Sequence, residues 1–297
     1  MRLLSRVVAV LVVLGLLATP LVLHFTQRTH DRLELDLGTR FPDNAPIVGG
    51  QVFATVLADV VEHELRSSTG WRPNDFLLWG PKVFADNNAN RQLGIILVVR
   101  ESARVLKDHL TKVSSDPFDP NLLAADTAFR NDAEKMWLPS AESKYREGVW
   151  HLRDYVDGLA ETPPRSRPMN LRNAELIRLF QTWSDILGDA HAALFREPEN
   201  LLTTDDDFYR AQGEAHVMHQ LMEATAREYR HELTERPILQ TLFTEVSAAL
   251  GAAAVLKPII VLNGGSEGFF ANHRRNLDAY ITEARQKMYS IREELEK

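Results

Sequence analysis

The chain has 297 residues, 44% of them hydrophobic and 25% charged, with a net charge of −7 and no cysteine. That balance excludes general nucleic-acid binding, which needs a basic surface to neutralise phosphate, and gives no electrostatic attraction to anionic lipid. Without cysteine there are no disulfides, no thiolate catalysis and no Cys-ligated metal, and no cofactor is expected.

The first element decides the compartment. A short tail, residues 1–6, carries Arg2 and Arg6, and Val7–Leu23 follows without one charged residue. A membrane-crossing helix needs roughly 20 apolar residues, and residues 7–25 come close. The rival is a cleaved signal peptide, but Ala18-Thr19-Pro20 lacks the paired small residues that cleavage requires. Leu21-Val22-Leu23 then continues the apolar run, so an uncleaved single-pass anchor is expected. A very short tail before a large domain is the usual signal-anchor arrangement. It places the N-terminus inside and the bulk outside the cytoplasm, although Arg28 and Arg32 follow the span closely. The expected location is therefore a membrane, with the domain outside the cytoplasm.

Residues 26–50 read as a linker punctuated by Gly38, Pro42, Pro46, Gly49 and Gly50. From 51 to 297, apolar residues recur at steps of three and four, the mark of amphipathic helices. Phe53, Val56, Val60 and His63 define the first. Ile96, Val99, Ala103, Leu106, Leu110 and Val113 define the second, and Leu122 through Ala133 and Met136 a third, stopped near Pro139. Tyr145–Leu159 follows, then a break at 162–169 around Pro163-Pro164 that suits a hinge or a subdomain boundary. Leu176–Leu194 and Ala211–Tyr229 are the next helices. Ile238–Leu262 is almost uniformly apolar, but Glu245 and Lys257 bracket too short a run to span a bilayer. It is expected to be the central helix of the bundle, surrounded on all sides. Leu277, Ile281, Ala284, Met288, Ile291 and Leu295 stripe the last helix, a seam for bundle packing or for a homo-oligomer. No stretch alternates with period two, so the fold is all-α: a transmembrane anchor followed by a multi-helix bundle.

Two stretches stand out between the first bundle helices: Trp71-x-Pro73-Asn74-Asp75, and Asp86-Asn87-x-x-Asn90-x-Gln92-Leu93-Gly94. Together with Val261-Leu262-Asn263-Gly264 and Phe270-Ala271-Asn272-His273 they resemble the domain-of-unknown-function 2333 family of bacterial envelope proteins. The resemblance runs from the anchor to the last helix. It implies a single-pass inner-membrane protein with a helical domain, and brings no catalytic residues.

Candidate chemistry is sparse. Gly264-Gly265-Ser266-Glu267-Gly268 fits the G-x-S-x-G pattern of a nucleophile elbow, but that motif needs a parallel sheet and a downstream acid before its histidine. A glycine-rich turn between helices accounts for it. His216, His219 and Glu223 share a helix with Glu228-x-x-His231, yet a di-iron bundle wants two such motifs and two further glutamates. A solvated flank accounts for His216, His219 and Glu223, and no metal is expected. His63, with Asp59 a turn before it, reads as a core histidine satisfied by a carboxylate.

The loop from Trp71 to Asn90 is the best candidate for binding, through Trp71, Asn74, Asp75, Trp79, Asp86, Asn87 and Asn90. Aromatics interleaved with amides suit a partner surface. The architectural alternative has the tryptophans plugging the bundle end while Asn74, Asp86 and Asn90 cap helices. Three functions remain: an envelope protein that binds or scaffolds protein partners, which is preferred; a cell-wall hydrolase using Asp75 and Asp86 as paired acids; and a small-ligand module in the bundle.

Overall fold

The computed structural model describes residues 2–29, 33–67, 70–75, 86–112, 116–170, 172–197, 204–258, 260–264 and 271–297. Among the described residues the chain is all-α, with one isolated bridge between Asn263 and Asn272. The helices are α1 (Arg2–Thr29), α2 (Leu37–Arg40), α3 (Gln51–Arg66), α4 (Asn87–Val105), α5 (Pro120–Phe129), α6 (Ala141–Ala160), α7 (Asn173–Phe195), α8 (Asp206–Glu228), α9 (Arg230–Glu235), α10 (Pro237–Val255) and α11 (His273–Glu296). Helix α1 stands off the core: Leu4, Leu11, Leu14 and Leu17 are all exposed.

Helices α4 and α8 form the spine. They cross so closely that a methyl group on Gly94 would run into the carbonyl oxygen of Arg210, and one on Gly213 into that of Arg91. Asn90, in the first turn of α4, donates to Asp206 at the start of α8 (2.9 Å), so the two helices begin together. Helices α3, α5 and α6 pack on one side of this pair, and α7, α10 and α11 pack on the other. One hydrophobic core runs through both sides, with residues from before and after the 162–169 break.

The central helix is α8, not the apolar one. It is buried nearly all round, including Gln212, Glu214, His216, Gln220, Thr225 and Glu228. Helix α10 buries only Leu239, Phe243, Val246, Leu250 and their neighbours against α8 and α11, and leaves Gln240, Thr241, Thr244 and Ala248 open. Apolarity alone misplaced the centre, because Gln212, Gln220 and Glu228 of α8 find tertiary partners for their buried polar groups.

Two helices end earlier than their periodicity predicts. Helix α5 stops at Phe129, and Ala133 and Met136 lie in the following loop. There Asp132 accepts the Glu134 N–H (3.0 Å), an Asx turn that competes with helix. Helix α10 stops at Val255 because Pro258 disfavours helical backbone in the residue before it. Helix α4 runs on into a π-helical turn, Leu106–Leu110, and Val113 lies outside the described residues.

The linker is laid along α8. Gln220 donates to the Leu33 carbonyl (3.1 Å), Arg227 to that of Phe41, and Arg230 to those of Pro42 (3.3 Å) and Ala45 (2.8 Å). Leu37 and Phe41 are buried. Gly50 adopts φ +92°, a left-handed conformation suited to glycine, immediately before α3. The stripe of α11, from Leu277 to Leu295, is buried against α7 and α10.

Candidate functional site

Trp71 and Asn74 anchor their loop to the α5–α6 connection. The Trp71 indole N–H donates to the Ala133 carbonyl (2.9 Å), and its ring meets Tyr145 edge-on at 5.0 Å. Asn74 donates to Glu142 (2.8 Å) and to the Lys135 carbonyl (3.3 Å). Asp75 pairs with Arg72 at 2.5 Å. Burial raises the Asp75 carboxyl, Arg72 opposes that, and Glu142 adds to it. Trp79 lies outside the described residues.

Gln92 is the hub that sequence reading passed over. Its carbonyl accepts the Arg72 N–H (2.8 Å), while its amide donates to the Gly70 carbonyl (2.9 Å) and to Glu64 (3.0 Å). Glu64, itself buried at the end of α3, also takes Arg91 (3.0 Å). One fully buried amide thereby fixes the loop, α3 and α4 together.

Asp86 stands just before α4 but makes no side-chain cap bond; it faces Asp205 and Asp206 instead. Carboxylate oxygens of these three residues lie within 4.8 Å of one another. Burial, then Asp206 and Asp205, push Asp86 up to about 8, and burial with Asp205 and Asp207 lifts Asp206 to about 6. Like charges this close do not all ionise at neutral pH, so the cluster holds a proton. Oxygen donors of this kind suit a hard divalent cation. Asn90 binds Asp206 rather than capping a helix, and Asn87 is half-buried at the start of α4. The structure thus gathers Asp86 and Asn90 with α8, and Trp71, Asn74 and Asp75 with the α5–α6 loop. Different charged groups bear on Asp75 and Asp86.

A concavity opens between α8, α9 and α10, about 530 Å³ in volume. Met222, Leu233 and Phe243 form its apolar lining, and Glu223, Arg230, Gln240, Thr244 and Ser247 its polar one. The Ser247 hydroxyl donates to Glu223, and His219 Nδ1 lies 3.0 Å from the Ser247 carbonyl and 3.1 Å from Oγ. A carbonyl only accepts, so Nδ1 carries the proton. In a catalytic triad the carboxylate orients the histidine, which takes the serine proton. Here the carboxylate holds the serine directly, and the arrangement suits binding rather than nucleophilic attack. His216 is buried, contrary to the solvated flank expected for it. Asp59 is held by Arg40 and Arg153, and His63 is half-buried beside them on α3. Ser266 lies outside the described residues.

The closing stretches are also brought together. His273 donates its backbone N–H to Leu262 (2.9 Å), its Nδ1 accepts the Leu262 N–H (3.0 Å), and Asn272 caps α11. Fully buried Arg274 donates to the carbonyls of Ala193, Leu194, Arg196 and Thr204, closing the end of α7.

Every described motif stretch therefore has a place in one framework, and the comparison with known families agrees over the whole chain. The model for the family described as "Uncharacterized protein conserved in bacteria (DUF2333)" matches residues 2–197 and 190–297. The chain belongs to the DUF2333 family. No curated protein and no solved structure matches it. For this DUF2333 member the motif residues Trp71, Asn74, Asn90, Gln92 and Gly94 have structural roles that need no ligand. The open concavity on α8–α10 lies apart from those stretches in sequence.

Proposed function

We propose that this protein is a single-pass inner-membrane protein whose helical domain lies in the periplasm and binds a protein partner. The observation that carries the reading is α1, whose apolar side chains stand exposed and outside the core of an otherwise well-packed bundle. Exposing such a surface to water is costly, and a bilayer removes the cost. The partner surface we favour is the α8–α10 concavity, where Met222 and Phe243 offer an apolar floor and Glu223, Gln240 and Thr244 a polar rim. Apolar anchors within a polar rim are how protein interfaces are commonly built. A hydrolase using Asp75 and Asp86 together draws less support, because the two acids have different neighbours. A small-ligand module draws support from the same concavity.

The test places a photo-cross-linking residue at Thr244 in intact cells, with Glu161 as a surface control. The expected result is a discrete protein adduct at Thr244 and none at Glu161, with the chain retained in membranes after alkaline carbonate. Release by carbonate would overturn the anchor. Retention without any adduct at Thr244 would overturn partner binding there and leave a small ligand, whose binding should raise thermal stability.

A further inference from the structure

The loop between α5 and α6 exposes three consecutive apolar residues. Trp137 is 77% and Leu138 96% exposed, and Met136 beside them is also open. The loop is not slack. Its base is pinned from both sides: the Asp132 carboxylate accepts the Glu134 N–H, Lys135 N–H donates to the Asp132 carbonyl (3.2 Å), and Ala141 N–H donates to that of Lys135 (3.0 Å). Trp71 and Asn74 bind the same base from below. Trp137 and Leu138 are held away from the core that would otherwise cover them.

Their position follows from a chain of contacts. The loop base binds Trp71 and Asn74; the adjoining Gly70 and Arg72 bind Gln92; Asn90, half a turn earlier, binds the first residue of α8. The loop therefore belongs to the end of the bundle where α4 and α8 begin. The described linker starts with Leu33 bonded to Gln220 and runs toward the far end of α8 at Arg227, so the anchor joins it from the side where α8 begins. From Asp206 to Gln220, α8 advances about 21 Å. Helix α1 continues past Leu23 to Thr29, about 9 Å, and the backbone to Leu33 adds at most about 14 Å. That reach is enough to bring the starts of α4 and α8 level with the bilayer surface when α8 stands along the membrane normal.

We infer that Met136-Trp137-Leu138 is a second membrane contact, seated in the interfacial layer of the bilayer that α1 crosses. Tryptophan favours that layer because its ring is apolar and its N–H stays hydrated. The surrounding exposed charges, Arg130 and Lys135 against Asp132 and Glu134, balance one another. Seating is therefore hydrophobic and indifferent to anionic lipid. Two contacts hold the domain in one orientation on the membrane. This inference rests on the anchor reading above.

Because the chain has no cysteine, single labels are clean. An environment-sensitive fluorophore is placed on Leu138→Cys, on Val12→Cys within α1, and on Glu235→Cys at the end of α9, which follows α8, each in the full chain in phosphatidylcholine nanodiscs. Brominated acyl chains should quench the Leu138 and Val12 labels several-fold more than the Glu235 label, and iodide should show the reverse order. Quenching at Val12 with Leu138 as iodide-accessible as Glu235 would overturn the second contact alone. No quenching at Val12 would overturn the anchor itself and this inference with it. The lipid-quenchable difference in intrinsic emission between the unmodified chain and Trp137→Phe provides the label-free check. Its absence counts against the contact.

Discussion

A single carboxylate starts α3. Glu228, at the end of α8, accepts the backbone N–H groups of Gly50 (2.7 Å), Val52 (2.8 Å) and Phe53 (2.9 Å) while buried. A helix leaves its first N–H groups unpaired, and here a distant residue supplies the cap that Gly50 lacks. Burial lifts this carboxyl to about 7, against the three N–H bonds that pull it down. The folded chain thus holds a proton that the unfolded chain releases near 4.5, so this group's contribution to stability falls as pH rises from about 4.5 through 7. Glu228→Ala should cost about 3 kcal/mol by orphaning buried donors, and Glu228→Gln should cost less and flatten that slope. Urea unfolding from pH 4 to 8 measures both. An unchanged slope in Glu228→Gln would refute the assignment. In the sequence Glu228 was visible only as half of a Glu-x-x-His metal pattern. Its partners lie at the other end of the chain, and local spacing carries no trace of them.

The α4–α8 crossing is the corresponding feature among elements. Close approach of two backbones requires small residues, and Gly94 and Gly213 supply them on opposite helices. Gly94→Ala must push backbone against backbone rather than displace a flexible side chain. The expected loss is about 3 kcal/mol, the upper end for overpacking. Gly38→Ala is the control, since a methyl there meets only Asp36 at an ordinary 3.5 Å and should be neutral or slightly stabilising. Equal denaturation midpoints for the two variants would remove the crossing argument. Helix periodicity found α3, α6, α7 and α11 because each turns one apolar face to the core. It misjudged α8 and α10 for the same reason in reverse. Helix α8 buries Gln212 and Gln220 against tertiary acceptors and Thr225 against its own Leu221 carbonyl, and α10 leaves alanine and threonine exposed, so hydrophobicity ranked them in the wrong order.

At the scale of the molecule, the folded unit begins before the first bundle helix. Reading glycines and prolines as a linker set the domain's start at Gln51, but Leu33–Gly50 behaves as part of the core. Leu37 and Phe41 are buried, Arg227 and Arg230 bond its carbonyls, and the Gly49 carbonyl accepts the Met169 N–H (2.8 Å). Glycine and proline mark irregular backbone, yet irregular backbone can be fixed wherever side chains reach its carbonyls. A chain of residues 33–297 should therefore unfold cooperatively, whereas residues 51–297 should be less stable by roughly 3–6 kcal/mol, the transfer free energy of two large apolar side chains. Denaturant midpoints decide it, and identical midpoints would restore the flexible-tether picture. The distinction bears on function. A tether would let the domain search the space above the membrane, but a segment stapled to α8 ties the spine of the bundle to α1. Only three residues separate Thr29 from Leu33, so under the proposed anchoring the direction of α1 would set the orientation of the α8–α10 concavity and the height above the bilayer at which a partner meets it.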